Sequence, residues 1–141
     1  MNIKHKLIRV IEQPTGMIDM VLGVKPMFTN YFLTVRKFSP EINTYIDIGA
    51  NRGELIKACK RVFPNAKIYA IEPIKEHCEY IKKQFPDIAV FNCGLWNNSK
   101  KLKFYYQRER YGVESSFLRP LEISKENLEE REVGLRRFDS M

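Results

Sequence analysis

From Thr44 onward the apolar positions change period in a regular way. "TYIDIG" is a nearly continuous apolar run with Asp47 inside it, the pattern of a parallel strand covered on both faces. Leu55, Ile56, Cys59, Val62 and Phe63 then recur at helical spacing until Pro64. "KIYAIEP" reads as a second strand, and Ile74, Cys78, Ile81 and Phe85 mark a second helix that ends before Pro86. "IAVFNC", residues 88–93, reads as a third strand. The alternation β-α-β-α-β predicts a parallel sheet with right-handed crossovers.

The flanks carry weaker patterns. "IKHKLIRVIEQ" places Ile3, Leu7, Ile8, Val10 and Ile11 on one helical face, so residues 1–43 are expected to form an N-terminal helical segment ahead of a domain over 44–141. That segment is expected to pack on the domain, with its Lys and Arg residues allowing weak contact with an anionic membrane surface. "KLKFYYQ" alternates like an exposed strand, "RYGVESSFLRP" reads as a loop, "SKENLEERE" as a polar helix, and "EVGLRRF" as a last short strand.

Charge and cysteines narrow the function classes. The net charge of +7 comes from Lys and Arg scattered among Glu and Asp, so no nucleic-acid surface is expected. Cys59, Cys78 and Cys93 are odd in number and form no CxxC pair, which argues for buried free thiols in a reducing cytosol and against a disulfide framework or a metal site. Met1 is followed by apolar residues broken by charges, without a small-residue cleavage site, and no uncharged stretch approaches the ~20 residues of a membrane span. A cytoplasmic protein is expected. His5 and His77 are isolated in sequence and are read as surface residues.

The candidate chemistry lies between Asp47 and Glu72. In a β-α-β unit, ligands bind outside the carboxyl ends of the strands, where the first turn offers backbone N–H groups and a helix start. Here that turn is Gly49-Ala50-Asn51-Arg52-Gly53, preceded by Asp47. It lacks the third glycine of a dinucleotide fingerprint, which disfavours NAD and FAD. Asp47 could orient a ligand's ammonium group. Glu72 follows Gly53 by nineteen positions, where an acidic residue of such folds accepts hydrogen bonds from ribose hydroxyls.

"IDIGANRGEL" followed by "IYAIEP" resembles the cofactor-binding half of class I S-adenosylmethionine-dependent methyltransferases, and most closely the FkbM-type family. "VFNCGLWNNSKKLKFYY", "ESSF" and "LRRFDSM" are similar to later segments of that family. The resemblance implies an α/β, Rossmann-like parallel sheet flanked by helices, incomplete at one wing of three strands in the order three, two, one, with the edge of Tyr45 to Ile48 left for another segment or a second copy to cover, plus a hairpin. It implies S-adenosyl-L-methionine as cofactor and a binding set of Asp47, Gly49, Ala50, Asn51, Gly53, Glu72, Pro73, Asn92, Cys93 and Gly94. In that set the glycine turn and Asp47 would line the methionine end, Glu72 would hold the ribose, and residues 92–94 would flank the adenine. The acceptor implied is an oxygen of a sugar, glycan or other small metabolite, with the chain expected to be truncated before the acceptor-binding half. No catalytic base is assigned: Asp139, Ser115 and Ser116 are the polar candidates and read as solvated loop residues. A non-catalytic cofactor-binding fragment and another nucleotide-dependent enzyme are the alternatives. Self-association through the open sheet edge is a further expectation.

Overall fold

The computed structural model describes residues 25–108, 115–119 and 125–141. The expected helix at residues 3–11, its membrane-surface contact, and His5 lie outside the described residues.

Helix α1 (Pro26–Phe38) opens on a proline, whose missing N–H costs nothing in the first turn, and ends with Arg36 and Lys37 at the negative end of its dipole. Its inward face buries Thr29 and Phe32. Phe32 meets Tyr45 and Phe63 edge-on, at ring-centroid distances of 5.2 and 6.4 Å, the arrangement that aromatic quadrupoles favour.

Strands β1 (Thr44–Ile48), β2 (Lys67–Ile71) and β3 (Ala89–Phe91) form a parallel sheet in the order β1-β2-β3, so the predicted wing is present with β1 at its edge. Helix α2 (Glu54–Val62) buries Ile56, Ala58, Cys59 and Val62, and helix α3 (Lys75–Gln84) buries His77, Cys78 and Ile81. With Phe32, Phe63, Ile68 and Ala70 the α2 residues and Ile81 make one core.

The sequence reading needs three corrections here. Only one face of β1 is covered among the described residues: Asp47 is 5% exposed, while Ile46 and Ile48 on the opposite face are 39% and 62% exposed. The third strand is shorter than residues 88–93, because the chain turns back at Cys93 N–H to Phe91 C=O (3.1 Å). "SKENLEERE" is helical only as a single 3₁₀ turn, Lys125–Asn127, before it enters strand β6 (Leu128–Arg136).

The reason for the last correction is cross-strand pairing. Strand β5 (Lys100–Gln107) runs antiparallel to β6, with Lys101 opposite Gly134 and Phe104 opposite Arg131. Lys101 then bonds Glu132 and Lys103 bonds Glu130, both at 2.8 Å, on the outward face, while Val133 and Leu135 point inward. Alternation over the pair outweighs the helix propensity of a Glu-rich segment. Strand β4 (Gly94–Leu95) joins the other side of β6, giving a second sheet in the order β4-β6-β5. Ile74, from the turn after β2, is buried in this sheet's core with Phe104, Val133 and Leu135, which ties the two sheets together. Among the described residues no helix is long and apolar enough to cross a membrane.

Phe32→Ala should cost about 3–5 kcal/mol in urea unfolding, the range for emptying a buried aromatic site. A loss below about 1 kcal/mol would show that α1 is not part of this core.

A candidate ligand cavity around Glu72

The turn after β1 is shaped by three residues with left-handed backbone: Gly49 and Gly53 (φ 76°) and Asn51 (φ 47°). Asparagine is one of the few side chains that tolerates this region, which accounts for its place between two glycines. The Asn51 N–H donates to Glu72 Oε2 at 2.7 Å, and the Ile74 N–H donates to Glu72 Oε1 at 2.9 Å. One carboxylate thus joins the turn after β1 to the turn after β2. Its own backbone is held as firmly: Glu72 N–H donates to Phe91 C=O, and Glu72 C=O accepts from Asn92 Nδ2 (3.0 Å) and Cys78 Sγ (3.1 Å). Asn92 also donates to Pro73 C=O at 2.9 Å. Glu72 is only 4% exposed, yet what it shows faces a cavity.

That cavity measures about 560 Å³, within the range of small-molecule sites, and opens at the carboxyl ends of β1 and β2. Gly49, Asn51, Glu72, Pro73, Cys93 and Gly94 line it, so six of the ten residues expected at the site converge. An apolar wall of Ile74, Leu95, Phe104 and Phe117 completes it. Sequence reasoning missed this wall, although Phe104 alternates inward within "KLKFYYQ". Ser115 and Ser116 also line the cavity, and both are half-buried rather than solvated. Their hydroxyls accept backbone N–H groups, from Gln107 and Leu118 respectively, each at 3.0 Å. Asp139 is exposed, pairs with Arg137 and stands outside the cavity.

The other four expected residues lie elsewhere. Strand alternation places Ile48, not Asp47, on the cavity side. Asp47 instead turns toward Tyr45 and Cys59 under the helices, and its Oδ2 is buried without a hydrogen-bond partner. Ala50 is packed in the core. Asn92 holds the Glu72–Pro73 backbone. At Gly53 an added Cβ would stand 2.9 Å from Phe85 Cε2, so its bareness serves the packing of α2 against α3. At Gly49 an added Cβ would meet nothing within 4 Å. Of the two glycines, only Gly49 leaves room that a ligand can use. Gly53 borders a smaller groove of about 380 Å³ with Lys25, Arg52, Lys57 and Tyr80.

His77 is also corrected. It is 6% exposed rather than a surface residue, with Nδ1 3.6 Å from Glu72 Oε1. The three cysteines are free and buried, as expected. Burial pushes the Cys78 thiol up to about 11 and raises that of Cys93 as well, so the cavity thiol is a poor nucleophile. No cluster of metal-ligating side chains occurs among the described residues.

The chain matches no family model, no curated protein and no solved structure. Among the described lining residues Glu72 is the only ionisable group besides the Cys93 thiol, and no Lys or Arg is present. Such a wall repels a phosphate and suits a ligand that offers hydroxyls, an amine or a cationic centre.

Burial pushes the Asp47 carboxyl up to about 6; a hydrogen bond with Tyr45 works against this rise, and the Glu72 charge adds to it. Because the folded state holds this proton more tightly than the unfolded chain, the contribution of Asp47 to stability is fully present below about pH 4. It is lost as pH rises toward 6 and stays low above that. Asp47→Asn should therefore stabilise the protein at pH 7.5 by about 1–3 kcal/mol, with the gain fading toward pH 4. Urea unfolding at both pH values checks this, and equal stability of the two proteins at pH 7.5 would contradict it.

Proposed function

We propose that the chain is the cofactor-binding part of an S-adenosylmethionine-dependent methyltransferase of the FkbM type. The observation that carries this reading is the cavity with one buried carboxylate and, among the described residues, no cation in its walls. A dinucleotide would need its pyrophosphate at the turn of Gly49 to Gly53, which lacks the third glycine of that fingerprint and has no cation beside it in the described cavity wall, whereas an adenosyl sulfonium brings ribose hydroxyls and positive charge. Each Glu72 oxygen takes one backbone N–H and keeps a second acceptor site, and Oε2 can take a ribose hydroxyl there. Gly49 gives room at the strand end, and Ile74, Leu95, Phe104 and Phe117 offer apolar surface for a planar base.

The cofactor supplies an electrophilic methyl group, whose transfer is an in-line displacement that depends on holding the acceptor atom about 3–3.5 Å away. The chain's own residues here bind and orient. Ser115 and Ser116 have no base beside them among the described lining residues, so neither is assigned as a nucleophile or proton acceptor. An oxygen of a sugar or small metabolite remains the proposed acceptor, in a cytoplasmic setting. Exposed Ile46 and Ile48, beside an edge of β1 that has no strand partner among the described residues, support the proposal that this edge takes part in self-association.

Calorimetry on the full chain should show binding of S-adenosylhomocysteine and none of NAD⁺. Glu72→Gln should weaken the former by about 1.5–3 kcal/mol, the range for a charge-assisted hydrogen bond. Binding of NAD⁺, or an unchanged affinity in a folded Glu72→Gln protein, would overturn the reading.

A further inference from the structure

His77 lies in the first turn of α3, and its side chain is about as buried as that of Glu72, 8% against 5% exposed. Its Nδ1 is buried and has no hydrogen-bond partner, although Glu72 Oε1 stands 3.6 Å away. The other groups near the ring come from the second sheet. Tyr106 of β5 is tilted against it at a centroid distance of 6.0 Å, and the Arg131 guanidinium of β6 covers Tyr106 at 4.0 Å. Arg131 is held in turn by Glu129 and by Glu76 of α3.

A neutral imidazole carries its proton on one nitrogen or the other, and the neighbour of each nitrogen decides which. A lone pair on Nδ1 would face a buried carboxylate and be repelled, whereas a proton there is attracted. The separation of 3.6 Å is too long for a hydrogen bond, and a shift of about half an ångström would make one. Oε1 has capacity for it, since a carboxylate oxygen takes a second donor beside the Ile74 N–H.

We propose that His77 is a positioning residue of the cavity: with the proton on Nδ1 it closes on Glu72 Oε1 and fixes that carboxylate toward a hydroxyl of a nucleoside ligand. The inference rests on the cofactor reading above, in which Glu72 is the group that holds the ligand. The two N–H donors come from backbone turns and fix where the carboxylate sits. His77 supplies a third donor from a helix, and the packing of Tyr106 on its ring couples the second sheet to the orientation of Glu72.

The test compares the wild-type chain with His77→Asn, whose amide N–H stands where Nδ1 does, and His77→Leu, which fills the space without a donor. Affinity for S-adenosylhomocysteine should fall roughly tenfold in His77→Leu and stay within about threefold in His77→Asn, the difference expected for one hydrogen bond to a charged group. Thermal unfolding of both variants controls for loss of fold. Ring ¹⁵N shifts in a His5→Gln background, which leaves His77 as the only histidine, should show the proton on Nδ1. A wild-type chain that fails to bind S-adenosylhomocysteine overturns the cofactor reading and the ligand-holding role together. A wild-type chain that binds it, with a folded His77→Leu protein binding equally tightly, overturns the role of His77 alone. So does a proton found on Nε2.

Discussion

The buried Glu72 carboxylate is the joint on which the site depends. Without it, the buried N–H of Ile74 would be left without an acceptor, a cost of about 1–3 kcal/mol, and the Asn51 N–H would lose its partner at the cavity wall. With it, the turn that leaves β1 and the turn that leaves β2 are fixed against each other, and Ile74 is carried into the core of the second sheet. The cavity exists because these three parts meet there: a glycine turn on one side, a strand end on another, and an apolar wall from the second sheet opposite. Glu72 is only 4% exposed and its carboxylate is held by two backbone N–H donors, and buried polar groups persist where such partners satisfy them.

That joint also explains which residues a reader of the chain can find. The β-α-β-α-β pattern is legible because apolar period and proline stops are local signals, and both were followed by the fold. Glu72 was legible for the same reason, since its register after Gly53 is a matter of counting. The face on which a residue ends up is harder. Asp47 and Ile48 are neighbours in one apolar run, and only pairing with β2 decides that Ile48 borders the cavity while Asp47 faces the helices.

The remaining misreadings share a cause in contacts between distant segments. Gly53 reads as a ligand glycine until Phe85, from the far end of α3, is seen to occupy the space beside it. His77 reads as an isolated polar residue, because neither Glu72 nor Tyr106 marks it in the sequence as buried. "SKENLEERE" has a helical composition, and its Lys partners on β5 lie more than twenty residues upstream. Ser115 and Ser116 look like loop hydroxyls because the segment that borders the cavity is placed by its bridge to Tyr105, not by any periodicity of its own.

The central claim is that the cavity walled by Gly49, Glu72, Cys93 and Gly94 is where this chain binds an adenosyl cofactor. Amide chemical-shift mapping during a titration with S-adenosylhomocysteine tests it most directly. The account predicts that the largest shifts fall on Gly49, Asn51, Glu72, Cys93 and Gly94, with smaller ones at Ile74 and Phe117. Shifts centred instead on the groove of Lys57, Tyr80 and Gln84, or none at saturating ligand, would contradict it.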